Sequence, residues 1–248
     1  MSFSFQLYSS RNVASQEDFL SQLAELGYTS VEGYGGVYGD PQSFSSAMSA
    51  NGLTMPSGHF GIDDLRDDFG GVMMLAQTFG IKHVIVPYLV AEARPSNKAG
   101  WQALARELSK IGTKVRETGR TFSWHNHDFE FEALEDGSYP MDVILETAAD
   151  ISWEADLGWV ARAGLDPAPI VSKYADRIVA IHVKDIAKDG EGLEEDGWSD
   201  IGEGVMDWPG LIRQIREQAP NAILVAEQDN PSDAVRFASV SMANLKDI

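Results

Sequence analysis

The 248-residue sequence has no cysteine. Disulfides, thiolate nucleophiles, iron–sulfur clusters and cysteine-ligated zinc are therefore excluded, and any metal has to be held by His, Asp or Glu. Positive charge is also scarce: 19 Lys and Arg face 38 Asp and Glu, a formal net charge of -19. Nucleic-acid affinity depends on Lys and Arg neutralising phosphates, so no nucleic-acid partner is expected. No apolar run approaches the ~20 residues of a membrane-spanning helix, so no membrane partner is expected either. The opening Met1–Tyr8 stretch lacks the basic head and apolar run of a signal peptide, which predicts a cytoplasmic location. No Pro/Ser-rich linker interrupts the chain, and its composition is that of an ordinary globule. One domain spanning 1–248 is expected.

Short β-rich apolar runs alternate with longer segments of helical period along the whole chain. The strand candidates are Phe3–Ser9, Ser30–Gly35, Thr54–Phe60, His83–Leu89, Thr121–His127, Ser152–Trp159, Ile178–Asp185 and Ala222–Asp229. Helical stretches follow them, for example from Ser15 to Gly27, Asp64 to Phe79 and Asn97 to Thr118, with Pro167 and Pro209 placed where a helix begins. Eight such units of about 31 residues predict a closed (β/α)8 TIM barrel of class α/β. An open doubly wound sheet is disfavoured because the first strand-to-helix turn carries no G-x-G-x-x-G.

In a barrel of this kind the reactive groups gather at the C-terminal strand ends. Polar residues recur there: Glu32, His59, His125 and His127, Asp156, His182 and Lys184, Glu227 and Asp229. Alternation along a strand sends residues two apart to the same side, so several strands each direct two polar groups inward. Packing so many carboxylates and imidazoles together without a counter-ion is costly, and a divalent cation removes the conflict.

The strings Trp124-His-Asn-His-Asp-Phe-Glu-Phe131, Ala155-Asp-Leu-Gly-Trp159, Ile181-His-Val-Lys-Asp185, Gly202-Glu-Gly204 with Asp207-Trp208, and Ala226-Glu-Gln-Asp229 resemble the sugar phosphate isomerase/epimerase family of xylose isomerase-like barrels. The resemblance runs through the chain in strand order. Relatives in that superfamily include inosose dehydratases, ketose 3-epimerases and the endonuclease IV group. It implies metal ligands at Asp156, His182 and Glu227. The strand-five ligand, a Glu in many members, falls on His125 here, with Glu130 in the following loop as the alternative. It further implies a divalent metal, with manganese favoured and cobalt, magnesium or zinc also compatible.

The expected activity is isomerisation or epimerisation of a small, non-phosphorylated sugar or keto-sugar through an enediolate. Glu227, His125, His127 and Lys184 are the catalytic candidates, and Glu32, His59, Trp159 and Tyr34 the substrate-binding ones. Replacing a carboxylate by an imidazole on strand five makes a dehydratase or lyase on a keto-sugar or inosose the main alternative. A non-catalytic sugar-binding subunit of the same fold is a further one. The loops after strands seven and eight are acidic, which disfavours a phosphorylated substrate. Assembly into a homo-oligomer is left open.

Overall fold

The computed structural model of the protein describes residues 3–248. Eight parallel strands close into a barrel: β1 Ser4–Gln6, β2 Ser30–Gly33, β3 Thr54–His59, β4 His83–Val86, β5 Thr121–His125, β6 Ser152–Asp156, β7 Ile178–Val183 and β8 Ile223–Ala226. Each strand pairs with the next, and β8 returns to β1 with Phe5 opposite Ala226. The expected (β/α)8 architecture is the observed one. Among the described residues no helix is long and apolar enough to cross a membrane.

Period-two alternation in the strands separates two environments. Phe5, Val31, Val84, Val86, Phe122, Trp124, Trp153, Ala155, Ile181, Val183 and Leu224 belong to one continuous apolar core with the helices. Phe5, for example, packs edge-on to Phe19 of helix Gln16–Leu26 and lies 5.7 Å, centroid to centroid, from Phe237 of helix Ala234–Lys246. The intervening positions are the buried polar ones: Gln6, Glu32, Ser57, His59, Ser123, His125, Glu154, Asp156 and His182. Barrel interiors are usually filled by branched apolar side chains. Here the lumen is largely polar.

The strands are shorter at their C-terminal ends than the sequence predicts. After β6 the chain turns into a helix, Leu157–Arg162, because the Asp156 carboxylate accepts the Trp159 N–H and caps the new helix. Trp159 is thus helical. His127, Glu227 and Asp229 lie just past their strands in the loops, and the expected helix from Asp64 to Phe79 is broken in two at Asp68, whose side chain caps Phe69–Phe79.

The long connection after β7 is organised by Asp185. This buried carboxylate accepts backbone N–H groups from Ile186, Gly202, Gly204 and Met206 at 2.9, 2.9, 3.3 and 3.0 Å. A side chain at Gly204 would meet the Asp185 carboxylate at 2.2 Å, so the approach requires glycine. Asp185–Ile186 also pairs antiparallel with Trp198–Ser199, which brings Trp198 to the mouth of the barrel. Removing a charged acceptor shared by four backbone donors costs on the order of 2–3 kcal/mol. Asp185→Ala should therefore lower the free energy of unfolding in urea by that amount and expose residues 187–207 to protease; an unchanged stability and cleavage pattern would show that the loop does not depend on this carboxylate.

Candidate active site

A cavity of about 1330 Å³ opens at the C-terminal end of the barrel. Its walls include Tyr34, His59, His125, His127, Trp159 and Glu227, all candidates from the sequence, together with Asp229 and Trp198. Asp156, His182 and Lys184 are fully buried and stand behind these residues, and Glu32 is sealed beneath them. Two layers of charge result.

The upper layer is centred on Lys184. Its ammonium lies 2.9 Å from Asp156, 2.7 Å from Glu227 and 3.1 Å from Asp229, and faces the rings of Trp198 and Trp159 at 4.9 and 5.2 Å. The His182 ring borders the same carboxylates, with Nδ1 2.9 Å from Glu227 and 3.6 Å from Asp156. Asp156, His182 and Glu227 offer three donor atoms within 4.8 Å of one another.

The lower layer lies on the other side of the His182 ring. Nε2 of His182 is 2.7 Å from Glu32, which also accepts a hydrogen bond from Gln6 Nε2 at 2.7 Å. Glu154, two residues before Asp156 on β6, takes His59 at 2.7 Å and His125 at 3.1 Å. His59, His125, Glu154 and His182 form a second convergent donor group. The structure thus places His125 with this lower group. Glu130 points elsewhere: its carboxylate accepts from Trp124 Nε1 and the His127 backbone N–H.

These contacts set the protonation pattern. Burial would raise the Glu227 pKa, but Lys184 and His182 hold it well below the usual carboxylate range. Asp229 is pushed up to about 6: burial raises it, Lys184 pulls it down, and Glu227 and Asp156 raise it again. Burial, then Lys184, depresses His127 to about 3, and burial with the neighbouring His182 holds His125 well below 6.5. His125 and His127 are therefore neutral. Burial alone would depress His59 too, but Glu154 and Glu32 overcome it and raise it to about 9.

The donor types, oxygen and imidazole nitrogen, and their convergence fit a divalent cation. Glu154 Oε1 and Glu32 Oε2 are buried and lack hydrogen-bond partners, which is a further sign of uncompensated acceptors.

Residues 20–247 match the model of a family described as the xylose isomerase-like TIM barrel. The chain belongs to that family. Similar proteins include the rhizopine catabolism protein MocC of Rhizobium meliloti, 22% identical over 92% of this chain and 80% of its own length. An inosose dehydratase of Geobacillus kaustophilus is 24% identical over 92% of this chain and 85% of its own. Among solved structures, a sugar phosphate isomerase/epimerase from Parabacteroides distasonis superposes with a TM-score of 0.80 at 19% identity, covering 99% of this chain and 93% of that one. The probable 3-DHS dehydratase AsbF from Bacillus anthracis gives 0.76 at 16% identity, covering 99% of both chains. IolI, with a bound zinc atom, gives 0.76 at 15%, covering 100% of this chain and 97% of that one. These structural likenesses show a shared fold.

Glu154 and Trp198 escaped the sequence reading. Trp153-Glu-Ala-Asp156 signals only a strand, and period two from Asp156 was the available clue to Glu154. Asp229 stands out in the sequence as a strand-end residue, without a role assigned by it. The elevated pKa of His59 gives a test of the lower layer. Its folded value lies above the ordinary 6.5, so its contribution to stability is complete below pH 6.5 and is lost as pH rises through about 9. In chelator-treated protein, urea unfolding should show about 3 kcal/mol less stability at pH 9.5 than at pH 6, with a smaller slope in His59→Gln. Equal slopes in both proteins would contradict this coupling.

Proposed function

We propose that the protein forms an enolate from a neutral keto-sugar or keto-cyclitol and expels a β-hydroxyl, a dehydratase of the inosose type. The observation that carries this reading is the pair Glu227 and Asp229. They lie two residues apart past β8, line the same cavity and share the Lys184 ammonium, yet their environments drive their proton affinities in opposite directions. Two carboxyls separated in this way take the roles of base and acid.

The ionised Glu227 removes the proton next to the carbonyl. The electron pair left on carbon forms the double bond, and the Asp229 carboxyl gives its proton to the departing hydroxyl, which leaves as water. Glu227 is then protonated and Asp229 is not. Lys184, within hydrogen-bond distance of both, returns the proton by donating to Asp229 and accepting from Glu227. Tyr34, Trp159 and Trp198 give the ring an apolar wall.

A divalent cation, for which we put manganese first, would be held by Asp156, Glu227 and Nδ1 of His182. When bound it would polarise the carbonyl and acidify the neighbouring proton, and a base of low proton affinity such as Glu227 needs that acidification. The relatives named inosose dehydratase and 3-DHS dehydratase support elimination. Isomerisation or epimerisation is the second reading, favoured by one feature: His127 lines the cavity as a neutral imidazole whose buried Nδ1 has no partner, a second base from another strand. The acidic surroundings of the cavity support an uncharged substrate.

With inosose and Mn²⁺ the wild-type protein should show dehydration whose rate falls above about pH 6, as Asp229 loses its proton. Asp229→Asn should lower kcat by at least roughly 100-fold with little change in KM, and should abolish that falling limb. Undiminished turnover in this variant would remove Asp229 from the mechanism. No reaction of the wild type with inosose would overturn the dehydratase reading.

A further inference from the structure

His182 presents its two ring nitrogens to two different sets of donors. Nδ1 faces Asp156 and Glu227, where the Lys184 ammonium already lies 2.9 and 2.7 Å from their oxygens. On that side a cation is built into the chain. Nε2 faces Glu32 and Glu154, and among the described residues the ion pairs of these two carboxylates are made by histidines alone, His59, His125 and His182. No lysine or arginine pairs with them there.

Three imidazoles converge on a single oxygen. Glu154 Oε2 lies 2.7 Å from His59 Nε2, 3.1 Å from His125 Nδ1 and 3.4 Å from His182 Nε2. The other oxygen, Glu154 Oε1, is buried without a hydrogen-bond partner. Donors bound tetrahedrally at about 2.0–2.1 Å stand roughly 3.3 Å from each other. The three spacings to Glu154 bracket that value, and all four donor atoms lie within 4.8 Å of one another.

We infer that His59 Nε2, His125 Nδ1, the Glu154 carboxylate and His182 Nε2 form a second cation position, below the one framed by Asp156 and Glu227, for a transition-metal ion of the zinc or cobalt type. Three imidazoles and one carboxylate suit such ions better than magnesium or calcium. His59 and His125 line the cavity, which gives the ion a path inward. With Nε2 on the metal, the remaining N–H of His182 on Nδ1 donates to Glu227, the outer hydrogen bond that orients a ligating imidazole. A ring that keeps one N–H serves one position at a time.

The inference concerns ion binding and needs no turnover, so it stands or falls separately from the dehydratase reading. Protein freed of metal by chelation and then saturated with Zn²⁺ alone should show an anomalous-scattering peak enclosed by His59, His125, Glu154 and His182. Equilibrium dialysis should show Glu154→Gln losing that ion with an affinity drop of at least roughly 100-fold, while Asp156→Asn keeps it. Thermal unfolding checks that both variants fold, and if Glu154→Gln does not, the wild-type anomalous map decides alone. A peak confined to Asp156, His182 Nδ1 and Glu227, no peak at saturating Zn²⁺, or wild-type binding by a folded Glu154→Gln would each overturn the assignment.

Discussion

Buried negative charge in the barrel lumen is the constraint from which the rest of the site follows. Glu32, Glu154, Asp156 and Glu227 are all buried, and Asp229 adjoins them at the mouth. Leaving such groups ionised away from water is expensive unless cations and hydrogen-bond donors compensate them. The chain meets this cost in two ways. Lys184 neutralises the upper carboxylates, and three imidazoles share the lower ones. The same compensation divides the proton affinities of Glu227 and Asp229, which is what chemistry at a carbon next to a carbonyl requires.

The scaffold makes this arrangement rigid. Alternation in the strands turns Phe5, Trp124, Trp153 and their counterparts outward against the helices, so the apolar core that stabilises the fold lies between barrel and helices. The lumen is thereby freed for polar groups. Lys184 shows how closely the loops follow: its side chain packs beneath Gly158, where an added Cβ would meet Lys184 atoms at 2.9 and 3.0 Å. The cap that Asp156 places on the helix at Leu157–Arg162 therefore also sets the roof above this lysine.

Much of this was legible in the sequence because strand ends and strand period carry information. Eight alternations gave the barrel, and Asp156, His182 and Glu227 stood out as polar residues at the ends of apolar runs. Strand lengths were less legible: Leu157-Gly-Trp159 is apolar enough to read as strand, and only the capping geometry of Asp156 shows that it is helical. Glu154 was hidden because a carboxylate one layer deeper looks the same in sequence as a solvent-facing one. Trp198 reaches the cavity through a long loop held by Asp185, a tertiary effect without a local signature. The lysine at 184 was visible as a polar strand-end residue. Its place among three carboxylates was a matter of geometry.

The central claim is that this cluster removes a proton from the carbon next to a ketone. The most direct measurement is proton NMR of inosose incubated with the protein and Mn²⁺ in deuterated water. Loss of the signal of the proton adjacent to the carbonyl, through deuterium entering recovered substrate or through conversion to the dehydrated product, is the predicted result, and it should vanish in Glu227→Gln. Retention of that proton by the substrate throughout, in protein shown to bind both metal and inosose, would contradict the account.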